Sequence, residues 1–366
     1  MKVGILKLGG NITWSRNVTT AGNVDVHTIC RALSPQCEIH IISGKTRNTK
    51  IPKPGIFHDI RNVDINSLGL GALLVFNGNV NFFGGNESVE GIMNYVHINQ
   101  FEGPVFIMNT DGQLSFKQIW PAIEPKPWSS NWKEEDVTIT RKDIIYITQG
   151  RDLEKTRKEY EKQKGHITAS KYIHFPIEKA ILIKKPTALK SADGPKYDLI
   201  YGGKVRSTGR RKDLVNFYVK GTNNLKVHLF GGLSPKQLGI PNEIDHIKFG
   251  QKVPNTSFVS KMTQGMATAI IGDPFYHDNF FTLRMYEAML AGTLLFIDEK
   301  MDTKQDFFLR DPFFDRFYVR NGKAIQSQLQ SMSPSEIRAY AQCQYYDIIE
   351  SFDAEEYSNQ LISLIS

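Results

Sequence analysis

Short apolar runs alternate with longer stretches whose apolar residues recur at helical spacing, and the alternation persists along most of the chain. In the first half, runs at 2–8, 38–43, 71–77, 104–109 and 143–148 predict strands, with helices near 22–34, 87–100 and 151–164. The second half repeats the order. Strands are expected near 197–202, 225–230, 267–271 and 293–297, and helices near 210–220, 255–264 and 280–291. Between the halves lies a Lys/Pro-rich stretch, Ile183 to Pro195, that reads as a surface connection. The architecture repeats without a sequence repeat. From Ser333 onward the chain reads as helical: Ser333 can cap, Pro334 suits the first helical position, and Glu336 completes a capping box. Apolar residues then recur at helical spacing from Ile337 to Ile349.

Strands alternating with helices predict an α/β protein. A chain of 366 residues exceeds what one core usually serves, so two domains are expected. Hydrophobic residues at 40% and charged residues at 23% are ordinary for a globular protein. No apolar run reaches transmembrane length, so no membrane partner is expected. Met1 to Leu8 is strand-like and lacks the pattern of a signal peptide. Cys30, Cys37 and Cys343 have no metal-ligand spacing and fit a reducing cytoplasm as structural residues. The nine histidines show no zinc spacing either. The net charge of +7 and pI near 9.0 favour a polyanionic partner. Lys45, Arg47, Lys50 and Lys53 form a basic segment that suits a phosphate backbone as well as a solvated loop.

Candidate chemistry gathers where strands end. Thr268 to Ile271 is broken by Gly272, Asp273 and Pro274, then a helix carries Arg284 and Glu287 at i and i+3. An arginine at a helix mouth can clamp a phosphate, and a glutamate one turn on can accept from ribose hydroxyls. The same spacing also suits a surface ion pair. After Asp198 to Tyr201 come Gly202 and Gly203, then Lys204, Arg206 and Arg210. Glycines let a backbone approach a ligand, and guanidinium forks match pyrophosphate oxygens. A solvated basic turn would read alike. Asp111 follows the run Val105 to Met108, where a carboxylate can serve as a general base or close an Asx-turn. Asn81-Phe82-Phe83-Gly84-Gly85 ends a strand as a polar-aromatic turn that could plug a gap in a duplex or enter a helix.

With these blocks in view, the chain resembles the DNA β-glucosyltransferase family of T-even phages. The resemblance rests on Val80 to Gly85, on Tyr201-Gly202-Gly203 with Arg206 and Arg210, and on the block from Ile270 to Met289. Weaker echoes are Thr110-Asp111, Ile119-Trp120-Pro121, Lys126-Pro127-Trp128, Phe175 to Glu178 and Ile297-Asp298-Glu299.

The resemblance implies a GT-B fold, two Rossmann-like domains facing a cleft. An acceptor domain would span 1–180 with a returning C-terminal helix at 350–366, and a donor domain 181–349. It implies an inverting glycosyltransferase moving a sugar from a UDP-sugar, glucose first, to 5-hydroxymethylcytosine in duplex DNA. The enzyme would act as a monomer in the cytoplasm of an infected bacterial host and protect phage DNA from restriction.

By the same resemblance Asp111 is the base. Gly203, Lys204, Arg206, Arg210, Val253, Asp273, Arg284 and Glu287 hold the UDP-sugar. Asn81, Phe83, Gly84 and Lys126 meet the DNA. A divalent cation, Mg2+ or Mn2+, is implied without assigned ligands. Two departures stand out. Gly22 and Asn23 occupy the place of an acidic residue in the first sugar-site loop, and Lys204 replaces a small hydroxyl residue. The first leaves open arabinose or another sugar on a hydroxylated cytosine. A GT-B enzyme with a non-DNA acceptor is the other alternative.

Overall fold

Period-two alternation splits each strand between two layers of side chains. In β1 (Lys2–Lys7), Val3 and Ile5 join one core cluster and Leu6 the other. In β4 (Ala72–Phe76), Leu74 and Phe76 go one way, Leu73 and Val75 the other. A strand covered on both faces must be apolar throughout, and all five residues of β4 are buried. One layer is closed by the helix Ala21–Leu33, through Val26, Ile29 and Leu33. The other takes Tyr95 and Ile98 from the helix Ser88–Gln100.

The computed structural model describes residues 1–7, 12, 21–44, 55–76, 88–109, 139–148, 150–151, 167–174, 195–205, 208–253, 257–272, 276–278 and 281–366. The chain divides into two compact units, Met1–Glu178 with Phe352–Ser366, and Lys179–Ser351.

The first unit holds β1, β2 (Glu38–Ser43), β3 (Ile56–Asp59), β4, β5 (Val105–Asn109), β6 (Ile144–Thr148) and β7 (Ile167–Tyr172). Their order is β3-β2-β1-β4-β5-β6-β7 and every pairing is parallel. The second unit holds β8 (Tyr197–Gly202), β9 (Val227–Phe230), β10 (Ile247–Phe249), β11 (Gly265–Ile270), β12 (Leu294–Asp298) and β13 (Tyr318–Val319). They run β10-β9-β8-β11-β12-β13, again all parallel. In both sheets the strand order reverses beside the unit's first strand. Open α/β sheets bind ligands at such a reversal, beyond the carboxyl ends of the strands.

The nine expected strands form, within two residues of their expected ends. Four strands were not expected: β3, β7, β10 and β13. They are the four edges of the two sheets. The helix expected at 255–264 is shorter, Phe258–Met262. The helix expected near 151–164 lies outside the described residues apart from Arg151.

Ser333 and Glu336 form the expected capping box. Ser333 N donates to Glu336 Oε2 at 2.7 Å, and Glu336 N to Ser333 Oγ at 3.3 Å. The helix Pro334–Ser351 belongs to the second unit, and its buried Gln344 bonds both backbone groups of Leu295 in β12. A new helix, Ala354–Ile365, starts at the Asp353 cap and returns to the first unit. Tyr357 and Leu361 there complete the core layer built by β1, β4 and the first helix.

Cys30 and Cys37 are buried free thiols, and burial pushes the Cys30 thiol up to about 12. Cys343 is exposed. No described helix is long and apolar enough to cross a membrane.

Candidate active site

The two strand reversals are not built alike. β1 and β4 pair along their whole described length, from Val3 opposite Ala72 to Lys7 opposite Phe76. β8 and β11 pair only at Tyr197–Gly265 and Leu199–Ala267. Beyond that point each stays with its outer neighbour, β8 with β9 as far as Gly202 and β11 with β12 as far as Ile270. The seam between β8 and β11 is therefore open toward the carboxyl end. A pocket occupies it, lined by Tyr201, Gly202, Arg210, Thr268 to Ile271, Met262 and Arg284.

Two side chains of the helix Thr208–Tyr218 reach the exposed edge of β11. The Tyr218 hydroxyl donates to the Ala269 carbonyl and accepts from the Ala269 N–H, both at 2.7 Å. Arg210, in the first turn of that helix, donates from Nη1 to the Ile271 carbonyl at 2.9 Å and lies 3.4 Å from the Tyr201 hydroxyl. The expected phosphate-binding arginine thus stands at the mouth of the seam, half-buried.

Across the pocket, Arg284 and Glu287 lie in the helix Leu283–Leu290 as the i,i+3 spacing predicts. Arg284 Nη1 bonds Glu287 Oε2 at 2.8 Å, so the ion pair expected as the simpler reading does form. The Arg284 guanidinium also lies 4.0 Å over the Phe258 ring, which packs on Phe230. Its side chain keeps 40% of its exposure, enough to meet a ligand while held in place. Burial raises the Glu287 carboxyl above the ordinary range, and the Arg284 charge partly offsets that.

The backbone around Gly203 is tightly fitted. Gly203 N donates to Phe230 O at 3.0 Å. Gly231 has φ of +111°, and a Cβ there would lie 2.3 Å from the Gly203 carbonyl oxygen, so only glycine serves. Gly203 is buried, Lys204 beyond it is exposed, and Val253 is partly buried after β10.

The structure brings Arg210 and Arg284 together around one pocket, with Glu287 paired to Arg284 and Gly203 beside Gly202. Asn81, Phe83, Gly84, Asp111, Lys126, Arg206 and Asp273 lie outside the described residues. Tyr218 and Phe258 were missed by sequence reasoning. Each looks like one more apolar position of an amphipathic helix, and only the strand register shows Tyr218 facing an unpaired backbone.

Residues 1–181 match the family model described as Bacteriophage T4 beta-glucosyltransferase. A curated relative, the DNA beta-glucosyltransferase of Enterobacteria phage T4, is 28% identical over 340 residues, 92% of this chain and 91% of the relative. Among solved structures, a mutant of the T4 phage enzyme in complex with UDP-glucose superposes with a TM-score of 0.78 at 25% identity, covering both chains completely. The T4 phage enzyme in complex with UDP and Mn2+ gives 0.76 at 25% identity, again over both whole chains. Along its length the chain is similar in sequence and fold to the bacteriophage T4 beta-glucosyltransferase family, and it is a glycosyltransferase of GT-B fold.

Proposed function

We propose that this enzyme transfers glucose from UDP-glucose to 5-hydroxymethylcytosine in duplex DNA, with inversion at the anomeric carbon. The observation that carries the reading is the open β8–β11 seam, with Arg210 and Arg284 on one pocket. Its support is the phage T4 relative named as a DNA beta-glucosyltransferase and the related structures holding UDP-glucose or UDP. Arg206, Arg210 and Arg284 neutralise the diphosphate, since charge-assisted bonds to its oxygens are strongest from guanidinium forks. Glu287 accepts from the ribose hydroxyls while its Oε2 keeps Arg284 in place. Gly203, Lys204 and Val253 border the nucleotide, and Asp273 the sugar.

The acceptor hydroxyl oxygen attacks the anomeric carbon as the bond from that carbon to the diphosphate oxygen breaks. UDP leaves with the electron pair, and the Asp111 carboxylate takes the hydroxyl proton. Among the described residues no three His, Cys, Asp or Glu side chains converge on a metal site. A divalent cation, as in the T4 enzyme's complex with UDP and Mn2+, would lean on the diphosphate with few protein ligands and would supply positive charge beside the leaving group.

Asn81, Phe83, Gly84 and Lys126 form the DNA face, where the Asn81 to Gly85 turn replaces a flipped base. The net charge of +7 favours that polyanion. In an infected cell's cytoplasm the product would protect phage DNA from restriction. Gly22 and Asn23, standing where the family carries an acid, favour a second reading in which the sugar is arabinose or another residue.

One experiment decides both. Hydroxymethylated and plain duplexes are incubated with a panel of UDP-sugars and read by mass, over a salt series and with free nucleoside as control. Transfer of glucose to the hydroxymethylated duplex alone, weakening steeply with salt, is the expected result. Equal transfer to the free nucleoside without salt dependence would remove DNA as the acceptor. Selective use of another UDP-sugar would establish the second reading.

A further inference from the structure

The seam raises a physical question. A strand whose N–H and C=O groups lose their ladder partners inside a core must find others, because an unpaired buried backbone group is costly. In a parallel strand alternate residues direct both groups to the same side, so Ala269 faces β8 as Ala267 does. β8 does not answer at Ala269; the Tyr218 phenol does, from a side chain with no solvent exposure.

The bonding of that phenol is complete. Its single proton goes to the Ala269 carbonyl, and its oxygen accepts from Ala269 N–H. Thr268 Oγ1, at 3.2 Å, then acts as the donor for the remaining lone pair. Burial raises the Tyr218 pKa above the ordinary phenol range, so the proton stays. The ring stands edge-on to Tyr201, whose hydroxyl neighbours Arg210. The next carbonyl on that side, that of Ile271 just beyond β11, is taken by Arg210 itself. One helix thus caps the free edge of β11 twice, with Tyr218 deep in the seam and Arg210 at its mouth.

We infer that Tyr218 is a positioning residue for the donor site, a wedge that keeps β8 and β11 apart so that the pocket and Arg210 are preformed before the nucleotide arrives. This rests on the donor-site reading given above. Without the hydroxyl, the groups nearest in chemistry to satisfy Ala269 are those of β8. Closing the ladder further would narrow the pocket and draw Ile271 away from Arg210.

Gln344 supplies a matched control. Its side-chain amide also satisfies both backbone groups of one buried strand residue, Leu295, and it does not line the pocket. Tyr218→Phe and Gln344→Met each strand one backbone N–H and C=O. Both should lower Tm. Only Tyr218→Phe should raise the Kd for UDP, by about tenfold, an effect of the size expected for a displaced charge-assisted contact. The KM for DNA should stay within about twofold in both, a difference too small to signal a lost contact.

Equal loss of Tm with unchanged UDP affinity in Tyr218→Phe would overturn the inference and leave Tyr218 merely structural. Should Tyr218→Phe fail to fold, hydrogen exchange on the wild-type protein decides. The segment 265–271 should be protected in the free enzyme and little changed by saturating UDP, whereas protection that appears only with UDP would show that the nucleotide makes the seam. Arg210→Ala tests the underlying reading separately. If it leaves UDP binding intact, the donor site lies elsewhere, whatever Tyr218 does.

Discussion

The two sheets share a strand order through their sixth strand and differ at one seam. In the first unit the reversal is closed: β1 and β4 bond from Val3–Ala72 to Lys7–Phe76. In the second it parts after Leu199–Ala267, and two polar side chains of one helix fill the gap. Topology therefore supplies a place where a ligand can bind, but register decides whether the backbone leaves room for it. A nucleotide's phosphates need donors already aimed at them, and the mouth of such a seam places two arginines there. A carboxylate acting on an acceptor needs only a firm strand behind it, and β5, which leads toward Asp111, is buried from Val105 to Met108 and bonded on both sides.

The largest expected effect separates those two roles. Asp111→Asn should lower kcat by at least about a hundredfold, the low end of general-base contributions, while UDP affinity measured by calorimetry stays near that of the wild type. Near-normal turnover in that variant would take the base assignment from Asp111 and with it the division of labour.

Next comes a pair of glycines on the two seam strands. A Cβ at Gly202 in β8 would lie 2.4 Å from both the Phe230 and Phe258 rings. At Gly4 in β1 it would lie 2.6 Å from Leu70 Cδ1 and 3.0 Å from Leu73 Cδ1, the ends of flexible chains. Gly202→Ala should cost about 1–3 kcal/mol as an overpacked core position and weaken UDP binding, because the ring it displaces carries Arg284. Gly4→Ala should cost less and leave UDP binding alone. Thermal melts with and without UDP compare the two, and a reversed ranking would break the contrast between the seams.

The smallest effect is a pH slope. In the first unit, His97 bonds Ile60 O and His40 bonds Glu38. In the second, neither ring nitrogen of buried His228 has a hydrogen-bond partner. Burial first, then Lys261 and Lys248, lowers its pKa from 6.5 to about 4. Between those values the unfolded chain binds a proton that the folded chain refuses, so stability present above pH 6.5 is lost as pH falls toward 4. His228→Leu should flatten the Tm–pH curve over that window. An unchanged slope would assign the acid sensitivity to other groups.

Much of the fold was legible because central strands of a parallel sheet are apolar from end to end, as Ala72–Phe76 is. The four unforeseen strands are all edges, where one flank meets solvent or loop. β3, Ile56–Asp59, has no fully buried residue and two polar positions, so it carries no apolar run to notice. At the site, Arg284 and Glu287 were legible because helical spacing alone makes them neighbours. Tyr218 was not. Its role depends on a ladder that stops early, and which strands pair and for how long is set by contacts far apart in sequence. Phe258 was missed for a related reason: its partner Arg284 is on another helix.

The helix Ala354–Ile365 carries a consequence for biosynthesis. It contributes Tyr357 and Leu361 to a layer otherwise made from residues between Val3 and Ile173. During translation the ribosome delivers β1 to β7 first, then the whole of Lys179–Ser351, and only afterwards the segment that covers Val26, Ile29 and Leu33. The first unit is thus begun before the second and finished after it, and a nascent chain stalled before Phe352 would carry an uncovered apolar face, a surface for chaperones to hold until synthesis catches up.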